Sequence, residues 1–178
     1  MIEGIEALRS IQGNRLVAFR RYQYAPGLEC AECVVDSGFA LRFRAYELPE
    51  SHLDTHCLSV KAIPRDTSEE PSGHRSTLIF NASIEGIEVF RRDEWAEQCG
   101  ENHATVGINP ILVRTGPVGS GPASAHVDTV ICGVAVHTES PSPQSIMIYV
   151  ADYPGLIGWT SATNEISEYR KHTTSEFL

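Results

Sequence analysis

The sequence predicts an α+β protein dominated by antiparallel strands, with a few short helices at its edges. Three observations carry this expectation. Residues 28–46, LECAECVVDSGFALRFRAY, alternate in polarity on both sides of a three-residue loop, Asp36-Ser37-Gly38, with glycine where a positive φ is needed. Val127 to Thr138 and Ile146 to Ala151 form a second strand pair, joined by ESPSPQ, whose prolines forbid a ladder there. Helical spacing is confined to short stretches near residues 2–11, 93–99 and 163–171.

Taken in order, Ile2, Ile5, Leu8 and Ile11 recur at three-residue steps and predict one apolar stripe on a short helix, stopped by Gly13. Residues 15–24, RLVAFRRYQY, alternate and predict a strand, and Ala25-Pro26-Gly27 a turn. The hairpin register pairs Val35 with Phe39, Cys33 with Leu41, Ala31 with Phe43 and Glu32 with Arg42. Phe39, Leu41 and Phe43 then share a core face with Cys33 and Val35. Ala40, Arg42 and Arg44 face water, and so does Cys30. Leu58, Val60 and Ala62 continue as a strand. Pro64 to His74, PRDTSEEPSGH, reads as a polar loop. A strand is expected at 77–81 and again through Ile84 to Arg92, then a short acidic helix from Asp93 to Cys99 closed by Gly100. Gly116 to Ser124 reads as an irregular loop, and ADYPGLIG (151–158) as a turn region. A helix is expected at 163–171, with Ile166 and Tyr169 on its buried side.

The length suits one domain spanning residues 1–178. The word IEGIE occurs at Ile2–Glu6 and at Ile84–Glu88. FALRFRAYELPE also resembles SIMIYVADYPG, which aligns Ala45 with Ala151. Two weakly related units, 1–63 and 77–178 joined by the polar loop 64–76, are therefore expected as an option, against chance recurrence of a five-residue word.

The net charge is −9 and the sequence pI about 5.2, with acids in both halves of the chain. That balance disfavours nucleic acid, whose phosphates are met by Lys and Arg, and suits a basic protein partner through complementary steering. No run approaches the roughly 20 apolar residues of a membrane span, so no membrane association is expected. MIEGIEALRSIQG has acids before any base and no apolar core, unlike a signal peptide. Cys30, Cys33, Cys57, Cys99 and Cys132 are therefore expected as reduced thiols in the cytoplasm.

Candidate chemistry is thin. Cys30-x-x-Cys33 followed by His52 and His56 has a zinc-finger-like order. Residues three apart on a strand point to opposite faces, however, and the stretch has no turn former between its cysteines. His52, Asp54 and His56 share one face of a strand, and two imidazoles with a carboxylate suit a metal with open positions. A solvated loop explains the same residues. GPVGSGPAS lacks the lysine of a phosphate-binding loop, and no G-x-S-x-G elbow is present. Arg20, Tyr22, Tyr24, Arg42 and Arg44 would share one outward face, a composition enriched in interfaces.

No catalytic residue and no cofactor is expected. The leading expectation is a cytoplasmic, non-catalytic protein-interaction module, of small-inhibitor or immunity type, using an acidic or an Arg/Tyr surface. The alternative is a metal-dependent enzyme centred on His52, Asp54 and His56. Composition leaves the oligomeric state open.

Overall fold

Alternating apolar and polar residues run through most of this chain, and each such run has become a strand. The computed structural model describes residues 2–24, 27–47, 56–65, 71, 74–99, 103–107, 125–139, 143–151 and 155–178. In order, the elements are β1 (Ile2–Glu3), α1 (Gly4–Arg9), β2 (Arg15–Tyr24), β3 (Gly27–Val35), β4 (Phe39–Glu47), β5 (His56–Pro64) and β6 (His74–Cys99). There follow β7 (His103–Gly107), β8 (Ala125–Thr138), β9 (Ser145–Val150), β10 (Ile157–Thr160), α2 (Thr163–Lys171) and β11 (Thr174–Phe177). Among the described residues every strand pairing is antiparallel, and no helix is long and apolar enough to cross a membrane.

Six of these strands close into a barrel. β2 pairs with β3 on one edge and β6 on the other, and β3 returns to β6 through β10, β9 and β8. Hydrogen bonds near Ser83 show how β6 bridges two neighbours. The Ile84 amide donates to the Asn14 carbonyl, while the Ser83 carbonyl accepts from the Glu139 amide. Successive backbone groups point to opposite edges, so β2 and β8 lie on opposite sides of β6. Past the end of β2, β11 takes over that edge at Glu88–Arg91. On β3 the second edge is likewise shared, between β10 at Leu28 and β4 at Ala31–Val34. From there β4, β5 and β1 leave the barrel as a wing, and β5 folds back so that Leu58 and Val60 join Val134, Val136, Ile146 and Ile148 in one core. Leu8 and Ile11 from α1 and the turn after it complete that core.

A second apolar layer lies outside the barrel. Ile166 and Tyr169 of α2 pack on Phe90, Cys132, Ala135 and Met147. Gly133 makes this approach possible, because a Cβ there would lie 3.0 Å from Met147 Cε and 3.2 Å from Tyr169 Cε1.

The hairpin register is as the sequence predicts, with Ala31 opposite Phe43, Glu32 opposite Arg42 and Cys33 opposite Leu41, and Gly38 holds φ at +87°. The strands at 15–24, in 56–64, at 77–81 and on either side of ESPSPQ, and the helix at 163–171, also stand. The two IEGIE copies fold differently: the first spans β1 and the start of α1, the second runs within β6.

Several expectations are corrected. The helix over Asp93–Cys99 is strand, because β8 and β7 pair with this stretch on its two edges and ladder bonds override local helical preference. The turn region 151–158 ends early, since Ile157 opens β10 and bonds to both Val150 and Leu28. Ile2 and Glu3 pair with β5 as strand, and the helix starts only at Gly4. Phe39 is 48% exposed, because it sits at the rim beside the turn, opposite Pro64. Cys30 is buried instead of facing water, since Tyr22 lies opposite it and β3 is covered on both faces. The loop at 116–124 lies outside the described residues.

Candidate functional site

The outward face of β2, β3 and β4 gathers the Arg/Tyr group that the sequence singles out. Alternation places Arg20, Tyr22, Glu32 and Arg42 on the side opposite the core residues Phe19, Ala31 and Phe43. Glu32 is the centre. Arg42 donates from Nε at 2.9 Å and lies 2.7 Å away through its terminal nitrogen, both to Oε1. Tyr22 donates its hydroxyl to Oε2 at 3.1 Å, and Arg20 approaches Oε2 at 3.5 Å. Burial, then the Glu32 charge, raises the Tyr22 phenol above its usual range. The face is thus drier than expected: Arg42 is largely buried, while Arg44 stays exposed. A carboxylate held by two arginines and a phenol is a rigid tie.

The thiols of Cys30 and Cys33 are buried and unbridged. Burial, with the neighbouring Glu32 charge second, pushes each up to about 12, so both stay protonated and unreactive. Of the proposed metal group, His52 and Asp54 lie outside the described residues, and His56 pairs with Glu47 at the end of β5. Among the described residues no three His, Cys, Asp or Glu side chains gather as metal ligands.

A second buried carboxylate, Glu88 on β6, was not legible as a site. It is 1% exposed and lies beneath α2 and β11. Arg170 of α2 grips it with both prongs, Nε to Oε1 at 2.7 Å and the terminal nitrogen to Oε2 at 2.5 Å. His137 of β8 reaches Oε2 through Nε2 at 3.2 Å, and its Nδ1 lies 2.7 Å from the Ser145 hydroxyl. Burial pushes the Glu88 carboxyl up, but hydrogen bonds from Arg170, Ser175 and His137 and the Arg170 charge together outweigh it and hold it below the ordinary carboxylate range.

Hydroxyl, imidazole and carboxylate in line have the form of a nucleophile-activating relay. Arg170 changes its chemistry. The carboxylate is already engaged by both prongs of a guanidinium, and the Phe177 ring lies 5.5 Å from the imidazole at 32°. The arrangement therefore ties α2 and β11 to the barrel. Glu85, Glu88, Glu94 and Glu97 cluster around the second IEGIE as acids suited to a basic partner, and the burial of Glu88 removes it from that group. Glu85 is exposed, and the side chains of Glu94 and Glu97 lie outside the described residues.

The third arrangement is inside the barrel. Arg21 follows Phe19 on the core-facing side of β2 and pairs with Ala31 and Ser76. Its guanidinium carbon lies 4.5 Å from the ring centroid of Trp159 on β10, and that indole packs on Phe19 at 5.5 Å. Arg21 Nε is buried with no hydrogen-bond partner, the only such side-chain nitrogen or oxygen among the described residues. A buried donor left unmet costs about 1–3 kcal/mol and calls for an explanation. The alternation of β2 already places an arginine at a core-facing position. Its indole partner lies 138 positions further along the chain, too far for sequence pattern to connect them. Comparison of the chain with family models, curated proteins and solved structures returns no match.

Proposed function

We propose that this chain is a non-catalytic interaction module that docks a protein partner on the outward face formed by β6, β2, β3, β4 and β5. The observation that supports the reading is the composition of that face. Ile79 is 80% exposed and pairs with Ala18 at one side of it, and Tyr46 is 49% exposed on β4. From Ile79 the row continues through Ala18, Val34, Ala40 and Ile63 across four strands, and these four are buried and form the rigid apolar support of the face. Beside it runs the row Arg20, Glu32, Arg42 and Lys61, fixed by the Glu32 network. Exposed aromatic, aliphatic and arginine side chains on a rigid support are the anatomy of a binding surface.

Arg20, Arg42, Arg44, Lys61 and Arg75 on this face outnumber Glu3, Glu29 and Glu32, so it complements an acidic partner surface within a chain of net charge −9. The basic partner suggested by net charge has to use another surface, without Glu88. Docking of this kind suits a small inhibitor or immunity-type protein, which works by occupying a partner surface. The buried free thiols suit a reducing compartment such as the cytoplasm. The test is capture of the partner from native lysate by the wild type, by a Tyr46→Ala/Ile79→Ala variant, and by a Glu168→Ala control on α2. Capture should fall at least tenfold only in the first variant and should weaken as salt rises. Equal capture by all three proteins refutes the assignment of the face.

A further inference from the structure

We propose that Arg21, Trp159 and Ser76 form an oxyanion-binding site on the core-facing side of β2, β6 and β10, built for the carboxylate of a small organic acid. The site is independent of the docking face, because Arg21 points to the opposite side of β2 from Arg20 and Tyr22. It rests on three observations. Among the described residues Arg21 takes part in no ion pair, whereas Arg20, Arg42, Arg91 and Arg170 each hold a glutamate. Its Nε is buried and unmet. Its guanidinium carbon sits over the Trp159 indole, and its two terminal nitrogens, at the partly accessible end of the side chain, remain for a ligand.

A guanidinium held over an indole has its position fixed, and its two terminal nitrogens form a fork that matches two carboxylate oxygens. Ser76, opposite Arg21 in register and partly accessible, places a hydroxyl donor on the same side. Trp159 and Leu78, both packed against the core and partly accessible, offer apolar surface for the body of the acid. One cation with one apolar flank suits a monoanion. A phosphate dianion asks for more positive charge than this pair supplies. Arg21, Trp159 and Ser76 all retain partial exposure, so a ligand reaches them without the barrel opening.

Trp159 reports on the site directly. In a Trp95→Phe background it is the sole tryptophan, since the chain has two. Titration with cyclohexanecarboxylate should give a saturable change in its emission. The neutral cyclohexanecarboxamide should give none, and inorganic phosphate should bind at least tenfold more weakly. Arg21→Lys keeps the charge but loses the fork, and should weaken carboxylate binding at least tenfold. Arg21→Met should abolish binding while keeping the wild-type circular dichroism, which makes a negative result informative. The proposal is overturned by the absence of a saturable response to the carboxylate, by an equal response to the amide, by tighter binding of phosphate, or by unchanged affinity in Arg21→Met.

Discussion

Replacing Arg170 with alanine isolates what the buried Glu88 costs when it stands alone. In the wild type both prongs of the guanidinium meet a carboxylate that is 1% exposed. Breaking a fully buried pair from one side costs roughly 3–5 kcal/mol, because an uncompensated charge remains. Two features lower that figure here. Arg170 is itself 39% exposed, so water enters where it leaves, and His137 still reaches Glu88 Oε2. The expected loss is about 2–3 kcal/mol, or roughly 5–10 °C in Tm for a chain of this size. Glu88→Gln, which leaves a half-exposed arginine free to turn to water, should cost only about 1 kcal/mol, and the double variant no more than that.

The pH dependence supplies the sharper test. Wild-type Glu88 has its carboxyl held below the ordinary value of 4.5. Its stabilising contribution is present above that value and is lost as pH falls through the depressed folded value. Without Arg170, burial dominates and the folded carboxyl rises above its unfolded value. The sign then reverses: the variant is most penalised at neutral pH and recovers as pH falls and Glu88 takes up a proton. The gap between wild type and Arg170→Ala should therefore narrow in urea unfolding between about pH 7 and about pH 5. A loss under about 0.5 kcal/mol at neutral pH, or a gap that widens on acidification, would refute the assignment of Glu88 as a buried anion that depends on Arg170.

The hairpin and the thiols give two further tests. Leu41→Ala, at a fully buried position, should cost about 2–5 kcal/mol, whereas Phe39→Ala at the rim should cost under about 1 kcal/mol; equal losses in thermal unfolding contradict the assigned faces. Among Cys30, Cys33, Cys57 and Cys132, a thiol reagent should label native protein first at the partly exposed Cys57, the other three being protected by burial, and all five cysteines of the chain should react after denaturation without reductant. Rapid native labelling of Cys30, or fewer than five thiols on denaturation, contradicts it.

What was legible in the sequence was local. The hairpin register followed from one glycine loop and alternation, and α2 from Ile166 and Tyr169 one turn apart. Where the pattern misled, the deciding partners were distant. DEWAEQC has the composition of a helix, yet β8 and β7 flank it and hold it extended. Ile157 follows a proline and a glycine that read as a turn, but its bonds to Val150 and Leu28 complete the barrel ring. Phe39 obeys the alternation and still lies at the surface, because alternation gives the side of a sheet and says nothing of where the sheet ends.

The two buried glutamates show the same limit in the parts closest to function. Glu32 was legible because its partner Arg42 lies ten residues away across a tight turn, and the register that buries Leu41 and Phe43 brings the two charges opposite each other. Glu88 meets Arg170 across 82 residues, from a strand to a helix placed only after β8, β9 and β10 have turned the chain back. Nothing in the spacing of either residue records the other. Yet the two sites do the same physical work: each fixes an anion beneath a covering layer and demands a particular seating of it, since an approximate one leaves the charge unmet. One anchors the face proposed for docking and the other anchors α2 and β11. Arg21 breaks that pattern: it is held in place by an indole, with no carboxylate beside it among the described residues. This contrast within a single barrel is what singles it out as the place where a carboxylate from elsewhere belongs.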